Sequence, residues 1–256
     1  MKIATFNVNS IRAHMHEVLP WLGQHKPDVL CLQETKVRDE EFPVEPITNA
    51  GYHVAYRGEK AYNGVAIISR LEPKNVRFGM DDRGPSAETR LIQATIGGVT
   101  VVNTYVPQGQ EVGSPMYAFK LEWLKRLRGY FSRHFSPDDA VIWAGDMNVA
   151  QEPIDVYNPG ERENHVCYHI DARKGLAKCR EWGFTDVLRI HHPEPGLYTF
   201  FDYRMRDTVK RNIGWRVDCI FATEPLTRKS RDAYIDLKPR LGRNVSDHTF
   251  LVAEFD

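Results

Sequence analysis

Polar side chains suited to binding a cation stand next to four apolar runs of the sequence. The four pairs are Asn7 with Asn9, Gln33 with Glu34, Asp146 with Asn148, and Asp247 with His248. Carboxylate and amide oxygens are the ligands that Mg²⁺ prefers, and histidine changes charge near neutral pH. The pairs contain neither a nucleophilic serine or cysteine nor the spaced Cys and His ligands of a zinc site. Together they predict a magnesium-assisted attack of water on a phosphate ester.

Strand ends would bring these distant pairs together. The ends of neighbouring strands meet on one rim of a sheet, so side chains far apart in the sequence can converge there. Asp218 belongs to the same set, because it directly precedes an apolar run and could orient His248 through the second ring nitrogen. Singly, Asn7 and Asn148 are more typical of turns and caps, and Asp247 with His248 of a solvated turn. Only the joint pattern supports the prediction.

The charges are balanced over the whole chain and unbalanced locally. The 256 residues carry 34 Lys and Arg against 34 Asp and Glu, so no global positive field indicates a nucleic-acid partner. Between Arg204 and Arg243, eleven basic residues stand against five acidic ones. This surplus suits binding to a phosphate backbone, and charge alone leaves a merely solvated face equally open.

The cysteines indicate a reducing compartment. Cys31, Cys167, Cys179 and Cys219 form neither a CxxC pair nor a zinc spacing, so we expect free thiols. The chain begins with a strand-like KIATF segment rather than a signal peptide's apolar core, and no stretch approaches a membrane span. These features predict a cytoplasmic protein that does not bind a membrane.

Apolar periodicity predicts many short strands and few helices. Strands are expected at residues 2–6, 29–32, 52–56, 65–69, 91–96, 99–106, 140–144, 198–201, 217–222, 233–237 and 250–255. Helical periodicity begins at Ile11, with a bend at Pro20, and recurs over about 115–135 and 171–182, where Gly183 would be the C-cap. Gly97 and Gly98 predict a hairpin between two of the strands.

We predict one domain over residues 1–256, since no low-complexity linker or composition break divides the chain. The strands and helices recur in two similar halves, and the first strand, helix and strand form a crossover unit. This arrangement predicts an α/β fold in which two sheets pack face to face with helices outside.

Seven ordered motifs carry a resemblance to a known enzyme family. They are KIATFNVNSIRA, DVLCLQETK, NTYVPQG, WAGDMNVAQEPID, YTFFDYR, GWRVDCIFAT and SDHTFLVAEF. In this order and spacing they resemble the exonuclease III family of AP endonucleases, within the endonuclease/exonuclease/phosphatase superfamily. The resemblance implies a four-layer αββα sandwich of two mixed sheets with the active site at one rim. It also implies a monomeric DNA-repair enzyme that cleaves duplex DNA 5′ to abasic sites and trims damaged 3′ ends.

The resemblance also implies a metal cofactor and its ligands. The metal is Mg²⁺, for which Mn²⁺ can substitute. Glu34 would be the main ligand, and Asn7 and Asp247 would border the metal or its waters.

Five further residues receive catalytic roles from the resemblance. Asp146 would hold or deprotonate the attacking water, and Asn148 would contact the scissile phosphate. His248, oriented by Asp218, would hydrogen-bond the phosphate or the developing charge. Tyr105 would contact phosphate or assist the leaving group. Which group acts as the general base stays open.

The implied substrate pocket takes an extrahelical sugar that lacks its base. Its walls would be Phe200, Trp215 and Val217. Without the family, Phe200 and Val217 fit ordinary strand core equally well. An intact nucleotide would have to fit its base into the pocket as well as its sugar. The shape of the pocket therefore selects abasic sugars over intact nucleotides. Arg204 and its basic neighbours would hold the bent backbone.

Two positions depart from the family pattern. Many relatives carry Asp where this chain has Asn9, which weakens a second contribution to the metal site. His165 stands near where relatives place Asn or a small residue close to the phosphate, so its bulk could change the balance between internal cleavage and 3′-end trimming. Both differences concern substrate preference more than the reaction.

Two other functions compete with this prediction. A phosphoesterase of the same superfamily could act on a phosphoinositide or sphingomyelin, but the GWRVD segment matches the DNA-repair branch. A catalytically silent DNA-binding module would have lost some metal- or water-handling positions, and here all of them are present.

Overall fold

Twelve strands and six helices build the fold, in a computed structural model that describes residues 1–84 and 89–256. The strands are β1 (Lys2–Asn7), β2 (Val29–Gln33), β3 (His53–Arg57), β4 (Val65–Ser69), β5 (Lys74–Phe78), β6 (Leu91–Ile96), β7 (Val99–Tyr105), β8 (Val141–Asp146), β9 (Thr185–Asp186), β10 (Asp218–Ala222), β11 (Ser230–Asp236) and β12 (Phe250–Phe255). The helices are α1 (Ile11–His25), α2 (Val44–Asn49), α3 (Pro115–His134), α4 (Ile170–Arg180), α5 (Val187–His191) and α6 (Glu224–Thr227).

The strands form two mixed sheets of six strands each. The first has the order β11-β12-β1-β2-β4-β3, and the second has the order β5-β6-β7-β8-β10-β9. In the first sheet β1 and β2 are parallel, and in the second β7 and β8 are parallel. Parallel neighbours need a long crossover, and α1 and α3 supply it. The two halves expected from the sequence therefore exist.

Side chains alternate between two cores along the central strands. On β2, Cys31 faces the space between the sheets, whereas Leu32 packs in the outer core with α1. On β8, Ala144 faces the central core and Trp143 packs with α3. Successive residues of a strand point to opposite faces, so strands that are apolar throughout are covered on both sides. The resulting four-layer αββα sandwich confirms the predicted fold class.

The predicted hairpin and the free thiols are confirmed. β6 and β7 pair antiparallel with Ile96 opposite Val99, and the intervening Gly97 and Gly98 have φ of 58° and 87°. Glycine adopts this left-handed conformation readily, which favours a tight hairpin. All four cysteines are free and buried. Within the described parts of the chain, no helix is long and apolar enough to cross a membrane.

Two local predictions are wrong, and α1 has an irregularity that was not predicted. Its non-helical dihedrals fall at His14, whose ring lies 2.6 Å from the carbonyl oxygen of Val8, while Pro20 lies inside the helix. α4 ends at Arg180 rather than 182, because the chain turns there to bring Trp182 into the outer core. Residues 198–201 are not a strand: Phe200 makes isolated bridges to residues 215 and 248, one on each side.

Candidate active site

Strand ends carry the predicted site residues to one rim of the sandwich. Asn7 ends β1 and lies opposite Gln33, the last residue of β2. Asp146 ends β8, with Tyr105 of β7 on one side and Asp218 of β10 on the other. The pairing register of the sheets therefore assembles much of the site before any side chain contacts another.

Three residues at this rim have unusual backbone conformations. Gly145 has φ of 140°, and a Cβ there would lie 2.0 Å from the carbonyl oxygen of Thr104. Only glycine lets β8 approach β7 this closely directly before the catalytic candidate at 146. Glu34 and Asn148 have φ of 51° and 48°, a region that residues other than glycine rarely adopt. Strained conformations of this kind cluster at functional sites.

The Asn7 amide joins the two sheets at the rim. It donates one hydrogen bond of 2.8 Å to Glu34 and another of 2.9 Å to Asp146. Lys36 lies 2.7 Å from the other Glu34 oxygen and also donates to Asn9. Burial alone would raise the pKa of Glu34, but Lys36 and Asn7 outweigh burial and hold that pKa below its usual value. Glu34 is therefore an anion at neutral pH.

Asp146 is a buried carboxylate whose two oxygens are both oriented. One oxygen accepts the backbone N–H of Asn148 at 2.8 Å, and the other accepts from Asn7. Burial, and next the nearby charge of Asp218, raise the pKa of Asp146 to about 7. A carboxyl group with a pKa near the working pH can exchange a proton with water efficiently.

His248 is held by Asp218 behind the cleft. Its Nδ1 lies 2.8 Å from Asp218, and its Nε2 lies 3.9 Å from Asp146. Burial favours the neutral ring, but Asp218, together with Asp146 and Asp247, outweighs burial and raises the pKa of His248 to about 10. The ring is therefore an imidazolium at neutral pH, with Nε2–H directed toward the cleft side.

A cleft of about 400 Å³ lies at this rim. Eleven of the thirteen predicted site residues line it: Glu34, Tyr105, Asp146, Asn148, His165, Phe200, Arg204, Trp215, Val217, Asp247 and His248. The other two lie behind it, where Asn7 contacts Glu34 and Asp146, and Asp218 contacts His248. The structure thus brings together the whole predicted set.

One wall of the cleft is aromatic. The His165 and Trp215 rings pack with centroids 4.5 Å apart, and the Phe200 and His248 rings with centroids 5.1 Å apart. Burial, with Arg162 and Lys120 nearby, lowers the pKa of His165, so this ring is neutral at neutral pH. An apolar wall beside the charged rim suits a ligand with a phosphate at one end and a sugar at the other.

The Tyr105 hydroxyl group lies on the charged side of the cleft. Burial, and next the charges of Glu34 and Asp146, raise its pKa well above the usual value. Arg90 packs over the face of the Tyr105 ring, 4.7 Å from its centroid. Tyr105 is therefore a neutral phenol that can donate a hydrogen bond into the cleft.

The basic surplus of residues 204–243 persists at the surface without Arg216, because Asp218 and Asp236 are buried as well. Arg216 is buried and pairs with Asp155 at 2.7 Å and with Asp186 at 2.8 Å, so it cannot contact a phosphate backbone. Arg204 is 81% exposed and pairs with Asp202 at 2.7 Å. Counting Arg216 as part of a surface field was wrong, because its side chain is buried and paired with two carboxylates from other segments of the chain.

Sequence reasoning missed two lysines at the site. Lys36 directly follows the motif residues Glu34 and Thr35, so its ion pair with Glu34 could have been suspected from adjacency. Lys120 is fully buried beneath the site loops. The signal for Lys120 was its spacing from Trp123, Leu124 and Leu127, which places it on the apolar face of α3.

Two groups of side chains could hold a cation. Asp146, Asp218 and His248 have donor atoms within 4.8 Å of one another, but Asp218 is hydrogen-bonded to the protonated His248 ring, which disfavours a cation there. Glu34 and Asp247 both line the cleft, and their carboxylates offer hard oxygen donors and no thiolate. This second set fits a hard divalent cation better.

Comparisons with known proteins extend over the whole chain. The model of the endonuclease/exonuclease/phosphatase family matches residues 4–248. Exodeoxyribonuclease III of Haemophilus influenzae is 31% identical over 267 residues, with 100% of both chains covered. An AP endonuclease of Archaeoglobus fulgidus is 52% identical, with a TM-score of 0.98 and coverage of 100% of this chain and 99% of that one. A 3′ phosphatase from Neisseria, bound to a product DNA hairpin, is 34% identical, with a TM-score of 0.94 and coverage of 100% and 99%.

Proposed function

Because this chain belongs to the endonuclease/exonuclease/phosphatase family, we propose that its cleft hydrolyses phosphodiester bonds of damaged DNA. The protein is a DNA-repair nuclease, in keeping with its exodeoxyribonuclease III and AP endonuclease relatives. Its principal reaction is cleavage of duplex DNA 5′ to an abasic site by water.

One observation supports this function most strongly. Asn7 connects Glu34 on the first sheet with Asp146 on the second, at 2.8 and 2.9 Å. A cation-binding carboxylate and a water-handling carboxylate therefore face the same cleft, with the His248 imidazolium beside them. Around a single phosphorus atom, these three kinds of group can neutralise the phosphate, handle the attacking water and stabilise the developing charge.

Each residue's role in the proposed hydrolysis follows from its protonation state. Asp146, with a pKa near neutrality, orients the attacking water and accepts its proton. The His248 imidazolium donates a hydrogen bond to a phosphate oxygen, and Asp218 keeps its ring charged and correctly turned. Asn148 donates from its side chain to the phosphate when it releases the Val106 carbonyl, 2.9 Å away. Tyr105, a neutral phenol, donates to the phosphate or the leaving group.

Mg²⁺ is the proposed cofactor, with Mn²⁺ as its substitute. Glu34 would be its main ligand, and Asn7 and Asp247 would border it or its waters. When bound, the cation would neutralise phosphate charge. Mg²⁺ is commonly held by one or two carboxylates together with oxygens of the substrate phosphate. Lys36, which now pairs with Glu34, would remain beside the carboxylate as a second positive charge.

The aromatic wall supports the choice of substrate. Phe200, Trp215 and Val217 would receive an extrahelical abasic sugar, and Arg204 would hold the backbone. His165 packs on Trp215, and its ring takes up space on this side of the cleft. This contact favours substrates with little bulk at the lesion, so we propose that the enzyme also trims blocked 3′ ends.

A panel of labelled duplexes tests the function. The duplexes carry an internal abasic analogue, a 3′-phosphate, a uracil or no lesion, and each is incubated with Mg²⁺, with Mn²⁺ or with EDTA. We expect incision 5′ to the abasic analogue and removal of the 3′-phosphate, both abolished by EDTA. Hydrolysis of phosphoinositide vesicles with no cutting of any duplex would overturn the proposal.

The proposed enzyme is a cytoplasmic monomer. Its four buried free thiols are consistent with a reducing compartment. Light scattering of the purified protein checks the assembly state, and cell fractionation checks the location. A stable dimer, or recovery with the membrane fraction, would contradict these two points without affecting the proposed reaction.

A further inference from the structure

Lys120 occupies an unusual environment for a lysine. Its side chain lies on α3 and is 0% exposed. Its ammonium donates to three backbone carbonyl oxygens, those of Gln108 at 3.1 Å, Asn148 at 2.7 Å and Val166 at 3.0 Å. Among the ion pairs formed by the described residues, none involves this lysine. Fully buried lysines are rare and are usually paired with a carboxylate.

The three carbonyls belong to three separate loops of the cleft. Gln108 follows Tyr105 at the end of β7, and Asn148 follows Asp146 at the end of β8. Val166 directly follows His165 on the aromatic wall. A single ammonium group therefore connects three loops of the proposed site. They contain Tyr105 near the leaving group, Asp146 near the attacking water and His165 near the sugar. We call these three segments (105–109, 146–150 and 165–168) the anchored loops.

The packing around the lysine stem is equally specific. Gly109 has φ of 95°, and a Cβ there would lie 3.1 Å from Cδ of Lys120 and 2.9 Å from Cγ2 of Val166. The glycine thus leaves space for the stem and closes the anchored loops around it. The loops are also joined in pairs: the N–H of Ala150 donates to the carbonyl oxygen of Cys167 at 2.8 Å, and the Asn148 side chain donates to the carbonyl oxygen of Val106 at 2.9 Å. Lys120 contacts all three loops at once.

We propose that Lys120 is a positioning residue that holds the three anchored loops in their catalytic arrangement. Charge-assisted hydrogen bonds are stronger than neutral ones, and a buried carbonyl that loses its donor must move or find water. Without the ammonium, the backbone of Gln108, Asn148 and Val166 would shift relative to the strand ends that hold Tyr105 and Asp146. Displacements of about 1 Å at such groups can lower a rate by roughly 100-fold. This inference rests on the proposed nuclease function.

Alternative roles for this lysine fit the contacts less well. A substrate-binding lysine would have to reach the cleft, and Lys120 is not among the residues that line it. A lysine that stabilised only α3 would pair with an acidic side chain one turn along the same helix. Instead, all three acceptors lie outside α3, in segments adjoining predicted site residues.

The test compares Lys120→Met and Lys120→Gln with Tyr130→Phe. Methionine keeps the length of the stem and removes every donor, while glutamine can satisfy only part of the carbonyl set. Tyr130→Phe is the matched control, because it removes a buried hydrogen bond to Gln93 from the same helix, away from the anchored loops. For each variant we measure unfolding temperature, DNA affinity in EDTA, and kcat and KM at the abasic analogue.

We expect Lys120→Met to lower kcat by roughly 100-fold with DNA affinity close to wild type, and Lys120→Gln to lie between. Tyr130→Phe should lower the unfolding temperature and leave kcat unchanged. Equal kcat for Lys120→Met and Tyr130→Phe would overturn the assignment, as would failure of both Lys120 variants to fold when Tyr130→Phe folds. A wild-type enzyme that cut no duplex would instead refute the proposed function.

Discussion

Two buried clusters of charged side chains differ in how fully their charges are paired. The rim cluster, made of Glu34, Asp146, Asp218 and His248, contains three carboxylates and one imidazolium, and the Lys36 ammonium pairs with Glu34 at its edge. The support cluster contains two carboxylates and two guanidinium groups: Asp155, Asp186, Arg189 and Arg216. In the support cluster, Arg216 lies 2.7 Å from Asp155 and 2.8 Å from Asp186, and Arg189 lies 2.5 Å from Asp155.

The number of positively charged partners sets the pKa of the buried carboxyl groups in each cluster. Burial would raise the pKa of Asp155, but Arg216 and Arg189 outweigh it and hold this pKa below its usual value. Burial and Asp218 instead raise the pKa of Asp146 to about 7. A fully paired carboxylate stays ionised and unreactive, whereas an underpaired one can exchange protons near neutral pH. The buried charges of the support cluster therefore stabilise the fold, whereas those of the rim cluster can take part in catalysis.

Asp146→Asn should have the largest effect on activity. The amide cannot accept the proton of water, so we expect turnover to fall by about 10³–10⁴-fold while DNA binding persists. Stability should stay the same or rise, because a buried carboxylate beside Asp218 is removed. Single-turnover cleavage of the abasic duplex, with thermal unfolding in parallel, checks both points. Near wild-type cutting would show that another group handles the water.

Asp155→Asn should have the opposite profile. Removing Asp155 takes the ion-pair partner from Arg189 and one of the two carboxylates from Arg216, which costs about 3–5 kcal/mol of unfolding free energy. Activity per folded molecule should stay close to wild type. Urea unfolding and active-site titration measure the two quantities separately. A variant that was stable but inactive would show that the support cluster participates in catalysis.

The same comparison predicts a dependence of stability on pH. The lowered pKa of Asp155 means that the folded state binds fewer protons than the unfolded state at acid pH. Its contribution is therefore present above the unfolded pKa of about 3.9 and is lost as the pH falls through the lower folded value. Asp155→Asn should flatten the acid side of the stability curve, and an unchanged curve would contradict the pairing.

Asp218→Asn should produce an intermediate effect, visible mainly in the pH profile. Asp218 favours the protonated form of His248, whose pKa is raised to about 10. Without that carboxylate the pKa of His248 falls, so the alkaline limb of kcat should move to lower pH. Turnover at neutral pH should fall by about 10–100-fold. Profiles of wild type and Asp218→Asn in saturating Mg²⁺ test this, and coincident alkaline limbs would exclude His248 as the acidic group.

Trp215→Ala should give the smallest change in the chemistry and a clear change in preference. Removing this ring leaves a space beside His165 in the aromatic wall and does not alter the rim cluster. We expect abasic cleavage to fall by about 10-fold, with less effect on 3′-phosphate removal. The ratio of the two rates on paired substrates measures the change. Equal loss of both would eliminate the aromatic wall as a determinant of selectivity.

Much of the fold followed from sequence because the central strands are apolar on both faces. Val65–Ser69, Leu91–Ile96 and Phe250–Phe255 are predicted to the residue. The edge strand Lys74–Phe78 was missed, since it is partly exposed and polar and its existence depends on pairing with β6. Such a strand has no periodicity of its own to detect.

The candidate site divides in the same way. Residues such as Glu34 and Asp146 are recognisable because polar side chains directly end buried strands. The partners of Arg216 and Lys120 were not recognisable, because they come from other segments of the chain and become neighbours only on folding, although helical spacing did signal the burial of Lys120. A buried basic residue looks like a surface one until its acceptors are known.

A double-mutant cycle between the two sheets tests the central claim most directly. The single-turnover rate of abasic cleavage is measured for wild type, Glu34→Gln, Asp146→Asn and the double variant. If both carboxylates act on one phosphorus atom, their effects should be strongly non-additive, with the double variant hardly slower than Asp146→Asn alone. Rate losses that multiply independently would contradict a shared site.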